Sequence, residues 1–573
     1  MSDAPVSDKV QADRDMLLKA QEDGKVLGTY VKLSGPGWLQ SAITLGGGSL
    51  AGSLFLGVLG GTSMLWLQVV AIFLGVVMLS AISYVTLSTG RRPFEAINSE
   101  INPALGWGWL IATMLANMIW CMPQFSLCYD ALDKNLFSIG GGGGLGDATS
   151  TKLIVSAILL VAAGSIVLMN VRQGKVAKIF DIVLKGLIGM VVLCFFGVVV
   201  LLAFNGQLNF GEILSGFIPN FGQWSEPTGR LSELTSGLNA TAQGFWSGKV
   251  VGNQQSVMIA AAATAVGINM TFLLPYSMLA RGWDKPFRGL ARFDLSTGMA
   301  IPYVLVTSCV VIAAASSFHG RIDDDLKSAN LATMQQSPMF DSVKGTLLDR
   351  VKLDDGVAGL SESEQLAKVA ALSVEEKSLA AALVKRNAFQ LSETLTPLLG
   401  PTLSNLVFGL GVFGMGFSTI IILMLINGYV FREMTNKPDG TGPFVVGCLI
   451  AGFSGASWVY LWSGGAKFWL PIITSSFGMM LLPVAYITFF LMMNSKRILG
   501  DEKPTGARMM IWNILMGIAV IGAVVAAYAA IKGQMGKSTG AAILIWTVLV
   551  VYGILIAVGF VMRSKRDAAA QDG

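Results

Sequence analysis

Long apolar runs recur along almost the whole of this 573-residue chain. Each run has about 20 residues, which is the length an α-helix needs to cross the hydrocarbon core of a bilayer. Only 13% of the residues are charged, whereas a water-soluble domain carries about 25%. The sequence therefore predicts an all-α polytopic membrane protein. We expect about twelve spans, at residues 36–60, 63–89, 106–135, 152–171, 177–204, 255–281, 295–317, 401–430, 443–462, 467–494, 508–531 and 541–562.

The loops between these runs alternate in charge. Loops such as TGRRPFEA and NSKRILGDEKPTGAR are rich in arginine and lysine, whereas SIGGGGGLGDATS and SEPTGRLSELTSG are poor in them. Because basic loops stay on the cytoplasmic side, the pattern places both termini in the cytoplasm. The polar first thirty residues predict no cleavable signal peptide. The expected location is a bacterial inner membrane.

The longest loop, at residues 318–396, lies on the outer side in this arrangement. Its segment SESEQLAKVAALSVEEKSLAAALVKRNAF has the spacing of an amphipathic helix, so we expect a lid across the outer face. The whole order predicts a cytoplasmic N-terminal segment (1–33), a first five-helix repeat (34–204), an outer loop (205–254), a second five-helix repeat (255–494), two additional helices (508–562) and a cytoplasmic tail (563–573).

The first span contains three consecutive glycines, in the stretch LGGGSLAG at residues 45–52. A glycine inside a helix costs roughly 0.5–1 kcal/mol relative to alanine. Within a bilayer, non-helical backbone survives only where it lines a cavity or is buried in protein. We therefore expect Gly46, Gly47 and Gly48 to break the helix at a polar cavity, with Ser49 capping the second half-helix. Close helix packing by small residues is the alternative.

The sixth span, TAVGINMTFLLPYSML, holds a second candidate break. Gly267 is followed by Asn269 and Thr271, and Pro275 removes a backbone donor. A polar side chain at this depth is costly unless it faces protein or water. Interrupted first and sixth spans are typical of an inverted repeat of five helices plus five, with the binding site between the broken helices.

These segments resemble the Nramp (natural resistance-associated macrophage protein) metal-ion transporters, members of the broad LeuT-type fold. GPGWLQSAITLGGGS is similar to the family's first helix, which begins with GPG and ends in DPGN. AVGINMTFLLPYSML is similar to its sixth, where AVGI precedes a Met-Pro-His motif. LTPLLGPTLSNLVFGLG and SSFGMMLLPVAY are similar to its eighth and tenth helices. The resemblance implies a LeuT-type 5+5 inverted repeat with helices 1 and 6 broken, and secondary active transport by alternating access.

The departures from the family fall on its metal ligands. The family's carboxylate and thioether ligands for Mn²⁺ or Fe²⁺ are missing from the matched positions, so the resemblance implies no metal site there. The residues at those positions are Gly46, Gly47, Ser49, Leu274, Tyr276 and Leu481, and the third span holds no acidic residue before Asp130.

The altered site suits a different ligand. A glycine-rich break exposes the N-terminal amides of a half-helix, which favour an anion. A carboxylate-bearing solute or a small inorganic anion would fit; backbone carbonyls and hydroxyls could instead hold a cation that keeps its waters. Simple protein packing is the alternative for the third-span residues. The residues expected to bind substrate are Gly46, Gly47, Gly48, Ser49, Trp120, Gln124, Asn269, Thr271 and Tyr276.

Two places could hold a coupling ion, either H⁺ or Na⁺. Lys185 lies inside the fifth span, and Asp181 precedes it by four residues and could pair with it. Lys185 resembles a lysine that replaces sodium in related sodium-independent transporters. Ser418 and Thr419 resemble the hydroxyl pair that binds sodium in sodium-coupled members. Snorkelling of the lysine to the interface and hydroxyl bonds within the helix are the alternatives.

The sequence favours an ion-coupled transporter for a small polar or anionic solute. A divalent cation carrier for Mg²⁺ or Mn²⁺ is the alternative, and a non-transporting sensor or scaffold is a third. We find no nucleophile elbow, zinc-binding helix motif or P-loop, so we expect no enzyme, no cofactor beyond the coupling ion and no nucleic-acid partner. The oligomeric state stays open. The single histidine, His319, borders a hydrophilic loop and is expected to be solvated.

Overall fold

A computed structural model describes residues 8–139, 143–171, 175–384, 389–390, 392, 396, 400–461, 470–536 and 538–569. Every regular element in those ranges is a helix. Eleven helices are long and apolar enough to cross a membrane, and one bent pair of shorter helices makes a twelfth span. The all-α fold and the expected number of spans are confirmed.

The N-terminal half holds the first five spans. Two amphipathic helices precede them, and the first span is divided between two half-helices. The elements are α1 (Asp8–Glu22), α2 (Val26–Leu33), α3 (Pro36–Thr44), α4 (Gly47–Gly60), α5 (Leu65–Thr89), α6 (Pro93–Glu100), α7 (Pro103–Asp130), α8 (Thr149–Val171) and α9 (Lys175–Phe204).

Short helices outside the bundle lead into the sixth and seventh spans. The elements are α10 (Phe210–Ser215), α11 (Arg230–Ser236), α12 (Ala240–Ala265), α13 (Ile268–Ala280), α14 (Arg288–Leu295) and α15 (Ile301–Phe318). The helix α12 begins at Ala240, earlier than the sequence-based start at 255, because its first turns pack against folded loop rather than lipid. Trp246 in these turns is fully buried and donates its indole N–H to Glu376, 3.1 Å away.

The long loop folds into a cap of five short helices, which are α16 (Asp324–Lys327), α17 (Leu331–Met334), α18 (Phe340–Val351), α19 (Glu362–Ala370) and α20 (Val374–Ala382). The expected single amphipathic helix is two helices, because Ser361 and Ser373 each accept a backbone N–H and start a new one. Buried Arg350 lies 2.7 Å from Glu376 and ties α18 to α20. We call the side of the bundle with α10, α11 and this cap the loop face.

The remaining spans are α21 (Pro401–Met434), α22 (Thr441–Ala456), α24 (Leu470–Asn494), α26 (Gly506–Met535) and α27 (Thr539–Ala569), with the short helices α23 (Trp458–Leu461) and α25 (Lys496–Leu499) between them. The helix α21 lies at the centre and packs on α3, α7, α9 and α22. We call the side of the bundle with α1, α2 and α14 the basic face, opposite the loop face.

Both expected breaks are present. The helices α3 and α4 are bent by 52° relative to each other, with the break between Thr44 and Gly47. The helices α12 and α13 are separated at Val266 and Gly267. Pro275 does not make the second break, because it lies inside α13. The physical cause is Gly267, whose extended backbone precedes the first turn of α13.

Candidate functional site

A small cavity lies where the two breaks meet. Its volume is about 40 Å³. Three spans besides the two broken ones contribute to its wall, namely α7, α21 and α24. The lining residues are Ile43, Gly46, Gly48, Ser49, Trp120, Gln124, Ala263, Thr264, Gly267, Asn269, Met270, Thr419, Leu423, Pro471, Thr474 and Ser475.

The glycines of the first break are required by neighbours rather than by backbone conformation alone. A Cβ atom on Gly46 would lie 2.5 Å from Thr419 Oγ1, and one on Gly48 would lie 2.7 Å from Thr264 Cγ2. Both distances are too short for an ordinary contact. The space beside Gly46 is therefore filled by the hydroxyl of Thr419.

The start of α4 is held by a side chain from α7. Gly47 donates its backbone N–H to Gln124 Oε1 at 2.9 Å. The expected cap by Ser49 is wrong: its hydroxyl donates to the carbonyl of Thr44, at the end of α3. Ser49 therefore links the two sides of the break. The last carbonyls of α3 lack donors within the helix, just as the first amides of α4 lack acceptors within the helix, so both need other partners.

The start of α13 carries an unpaired donor. Asn269 is 1% exposed and its Oδ1 accepts the N–H of Met270 at 2.9 Å. A backbone N–H can only donate, so this contact identifies the oxygen and leaves Nδ2 as the other amide atom. Asn269 Nδ2 has no hydrogen-bond partner among the described residues. The cavity therefore contains a buried N–H₂ group that requires an acceptor.

Trp120 forms one wall and is fixed in place. Its indole N–H donates to the carbonyl of Thr474 at 2.8 Å, which joins α7 to α24. Its ring lies against Gly267 and Gly478, where a Cβ atom would overlap it. The large aromatic ring therefore limits the room available beside both the second break and α24.

The cavity is neutral. Among the described lining residues none is Asp, Glu, Lys, Arg or His. The described part of the chain also contains no group of three or more His, Cys, Asp or Glu side chains placed to hold a metal ion. The first turns of α4 and α13 and the last turns of α3 and α12 all border the cavity, so positive and negative helix-dipole ends both point toward it.

The structure brings together most of the predicted binding residues. Those that line the cavity are Gly46, Gly48, Ser49, Trp120, Gln124, Asn269 and, from the predicted sodium pair, Thr419. Gly47 does not line the cavity, but its backbone N–H donates to Gln124, which does. Thr271 and Tyr276 do not line the cavity: Thr271 accepts the indole N–H of Trp109 at 2.9 Å, and Tyr276 stacks on Phe272 further along α13.

Sequence reasoning missed four lining residues whose side chains carry an oxygen or sulfur atom. Thr264 lies at the end of α12, Thr474 and Ser475 lie in α24, and Met270 follows Asn269. The polar pair in the tenth span was a usable signal, because hydroxyls inside an apolar run face protein or water. Met270 carried no such signal, because methionine is also an ordinary core residue.

The two hydroxyls of α21 meet the first span. Ser418 and Thr419 both donate toward the carbonyl of Ala42, each at 3.1 Å, and both also lie within reach of the carbonyl of Met415. Two hydroxyl and two carbonyl oxygens therefore converge between α3 and α21. The bonds to Met415 lie within α21 itself, and bonding of this kind is the alternative that the sequence analysis left open for these hydroxyls.

Lys185 does not line the cavity and lies beside the residue that precedes α3. Its ammonium donates to the carbonyl of Ser34 at 3.3 Å and sits 5.7 Å from the centre of the Trp38 ring. Ser34 precedes α3 at the basic face, whereas Ala42 is near the other end of that helix. The expected Lys185–Asp181 pair is wrong, because Asp181 forms a bidentate pair with Arg281 at 2.9 and 3.0 Å.

Asp294 is a further buried carboxylate that the sequence analysis did not single out. It accepts the N–H groups of Gly35 and Gly37, at 3.1 and 2.6 Å, and the hydroxyl of Ser34. It is 1% exposed. A carboxylate at a helix N-terminus satisfies the unpaired amides and complements the dipole, so Asp294 anchors the start of α3 to α14.

Two half-helices that meet at a polar cavity inside a twelve-span bundle define a class of protein, the helical membrane transporters with broken first and sixth spans. The sequence matches the family described as "Natural resistance-associated macrophage protein-like", Nramp, over residues 37–348 and 366–533. The chain therefore belongs to the Nramp family of membrane transporters.

Solved structures agree on the fold. The chain is similar to the Eremococcus coleocola manganese transporter in complex with an aromatic bis-isothiourea compound, with a TM-score of 0.59 and 14% sequence identity over 93% of this chain and 95% of that chain. A mutant of the same transporter gives a TM-score of 0.53 at the same identity and coverage. No curated protein matches this chain. At this identity the likeness establishes the LeuT-type fold.

Proposed function

We propose that this protein is an ion-coupled secondary transporter that works by alternating access and carries a small anionic or dipolar solute. The unpaired donor Asn269 Nδ2 carries this proposal. A buried donor without an acceptor is costly, and an oxygen of a bound carboxylate or inorganic anion would satisfy it. The basic face is then cytoplasmic and the loop face is external, as the charge pattern of the loops predicts.

The size of the cavity limits the solute. One water needs about 10–15 Å³ of such space, so the cavity of about 40 Å³ holds a few atoms. A small inorganic anion or the carboxylate end of a small acid fits this volume in the state described. The dipole ends of α4 and α13 favour the negative end of such a solute, and those of α3 and α12 favour a positive end.

A bare divalent cation fits the same cavity poorly. Moving an ion out of water is unfavourable unless protein charges compensate for the lost hydration. Lining oxygens here belong to neutral groups. The physical argument therefore points away from the ligand that the family usually takes.

Divalent metal transport is the second candidate, and one observation favours it. Met270 lines the cavity and brings a thioether, which is a ligand for soft transition metals. Two of the solved structures with this fold are described as manganese transporters. A metal that keeps part of its water shell could be held by Met270, Asn269 and backbone carbonyls.

Uptake into proteoliposomes separates the two candidates. We would load vesicles with a Mn²⁺-quenched dye, and in parallel measure uptake of labelled formate, acetate and glycine under inward Na⁺ or H⁺ gradients. Our proposal expects uptake of at least one of these carboxylates and no Mn²⁺ influx above empty vesicles. Mn²⁺ influx without carboxylate uptake would overturn it in favour of metal transport.

A variant that introduces a negative charge at the cavity makes the test more specific. Asn269→Asp replaces the unpaired donor by a carboxylate at the cavity wall. We expect it to abolish carboxylate uptake, whereas a metal site would retain or gain Mn²⁺ influx. Asn253→Asp is the matched control, because Asn253 is on the loop-face end of α12 and donates to the carbonyl of Lys249, away from the cavity.

For the coupling ion we propose that Lys185 handles H⁺, or that Ser418 and Thr419 hold Na⁺. The four oxygens between α3 and α21 support the sodium site. The position of Lys185 on the carbonyl of Ser34 supports a role at the basic-face entrance, since loss of its positive charge would remove the cation–π contact with Trp38 and weaken the hydrogen bond to Ser34.

Lys185→Ala tests the proton role. We expect uptake in this variant to lose its response to an inward H⁺ gradient while its response to Na⁺ remains. Lys249→Ala is the control, because Lys249 also lies over an aromatic ring, 5.5 Å from the centre of Phe245, on the loop-face end of α12. An unchanged pH dependence in Lys185→Ala would rule out proton coupling through this residue.

A further inference from the structure

Three buried carboxamide side chains carry polar atoms without partners. Gln40 lies in α3, Asn117 in α7 and Asn427 in α21, and each is 0% exposed. Among the described residues, no hydrogen-bond partner is present for Gln40 Oε1 and Nε2, for Asn117 Oδ1 or for Asn427 Nδ2. Most buried side-chain polar atoms in proteins are paired. Unpaired atoms on three helices that pack together around α21 therefore require an explanation.

The three carboxamides lie on the sides of their helices that face the central cavity. Residues three or four apart share one face of a helix. Each carboxamide has this spacing from a residue that lines the cavity: Gln40 from Ile43, Asn117 from Trp120, and Asn427 from Leu423. We call the three carboxamide side chains the amide layer.

The amide layer lies between the cavity and the basic face. The helix α3 begins at the basic face, and so does α7, because consecutive spans alternate in direction. The helix α21 ends there, since Glu433 in its last turn pairs at 3.0 Å with Arg92, which precedes α6. A step of three or four residues is about 4.5–6 Å along a helix. The layer is thus about one turn beyond the cavity on all three helices.

The pair formed by Asn117 and Asn427 presents a donor and an acceptor whichever way its amides are oriented. Asn117 Nδ2 donates to Asn427 Oδ1 at 2.9 Å. If both amides are rotated by 180°, the bond reverses and the other nitrogen and oxygen are left over. Gln40 adds a complete amide without partners. The layer therefore offers donors and acceptors together, and none of its groups is charged.

We propose that the amide layer is a second binding site for the transported solute, between the central cavity and the basic face, and that it selects a small dipolar molecule without net charge. A zwitterion or a primary amide carries donors and acceptors that the layer can pair. An ion of one sign pairs with only half of these groups and meets no compensating charge in the layer. This inference rests on the proposed function and narrows the class of solute.

Movement of α3 opens the layer. Gln40 is one turn from Gly37, whose N–H is held by Asp294 at 2.6 Å. When the start of α3 separates from α14, Gln40 moves away from the other two carboxamides, and the unpaired atoms of the layer meet the solute. A buried polar atom without a partner is unfavourable, so the layer destabilises the closed state and favours this opening.

Two variants remove the polar atoms of the layer with little change in side-chain size. Gln40→Met replaces one amide, and Asn117→Leu combined with Asn427→Leu replaces the pair. Neither variant should lower the melting temperature, because apolar groups of similar shape replace buried polar groups at little cost. Ser308→Ala is the matched control, because it removes a hydroxyl that is also buried and unpaired but lies in α15, outside the layer.

Glycine is the probe, because it is dipolar and has no net charge at neutral pH. The measurements are its initial rate of uptake into proteoliposomes, its equilibrium Kd for the purified protein, and the rate of formate uptake. The unmodified protein and Ser308→Ala should take up glycine faster than formate. Both layer variants should take up glycine about tenfold more slowly, as expected for losing one or two hydrogen bonds to the solute. Their Kd should stay unchanged, because the central cavity is intact.

Glycine uptake at the unmodified rate in both layer variants would overturn the inference and would show that the layer holds only water. An equal loss of uptake and of affinity would also overturn it, because the side chains would then support the central cavity instead. Faster uptake of formate than of glycine would contradict the class of solute. These three results leave the proposed function standing. It fails, and the inference with it, if the unmodified protein takes up none of formate, acetate and glycine.

Discussion

Replacing Gly47 by leucine is expected to abolish transport while leaving the protein inserted in the membrane. A Cβ at this position would lie 2.8 Å from Leu127 Cδ2 and 2.9 Å from Gln124 Oε1. The side chain of Gln124 must then leave the N–H that starts α4. Crowding of this kind costs about 1–3 kcal/mol, and here it falls on the cavity wall. Membrane insertion should persist, because leucine is favourable in a bilayer.

The measurement is uptake of whichever solute the unmodified protein carries, together with the amount of monodisperse protein extracted from membranes. Gly186→Leu is the matched control. Gly186 lies inside the fifth span, and no atom lies within 4 Å of a Cβ placed on it. Normal uptake by Gly47→Leu would contradict a binding loop at the first break and would return the three glycines to helix packing.

The second large effect is expected for Asp294→Ala, which should open the basic face. Removing the carboxylate leaves the N–H groups of Gly35 and Gly37 without their acceptor. Each orphaned buried donor costs about 1–3 kcal/mol. The start of α3 should then separate from α14, and the cavity should become reachable past α3.

Labelling of Ile43→Cys, a cavity residue in α3, measures this opening in nanodiscs. We expect at least a tenfold faster reaction in Asp294→Ala, since roughly 1.4 kcal/mol corresponds to tenfold. Asp284→Ala is the control, because the partly exposed Asp284–Arg14 pair at the same face is worth only about 0.2–1 kcal/mol. Equal labelling rates in the two variants would show that Asp294 does not hold α3 closed.

The first span is held at both of its ends and at its break. Asp294 fixes the start of α3 at the basic face. His319 fixes the end of α4 at the loop face, where its Nδ1 lies 3.0 Å from the carbonyl oxygen of Val58. His319 is half-buried in this contact, so the expectation of a solvated histidine is wrong. Between them Gly47 and Gln124 hold the break itself. Each half-helix therefore has its own anchor at its own face, which is an arrangement suited to opening one side at a time.

The residues that the sequence analysis compared with the family's ligand positions have different surroundings in the fold. The hydroxyl of Thr419 fills the space in which a side chain at position 46 would lie. Leu274 and Tyr276 are buried along α13 away from the cavity, while Asn269 and Met270 line it.

The sequence by itself determined the number of spans, the two breaks and seven of the sixteen residues that line the cavity. Each of these follows from local chemistry: apolar runs of membrane length, glycines where a helix cannot continue cheaply, and polar residues beside them. Trp120, Gln124 and Asn269 were predicted in this way, because a polar side chain at membrane depth faces protein or a polar cavity rather than lipid.

Only the tertiary structure decided the partners of the charged and hydroxyl groups. Asp181 binds Arg281 rather than Lys185, Ser49 bonds backward to Thr44, and Asp294 reaches across to Gly35 and Gly37. The partners of Asp181 and Asp294 come from helices distant in sequence, and sequence spacing carries no information about which helices pack together. A donor or acceptor pairs with whichever partner the packing brings within about 3 Å. The tertiary structure therefore determines which partner that is.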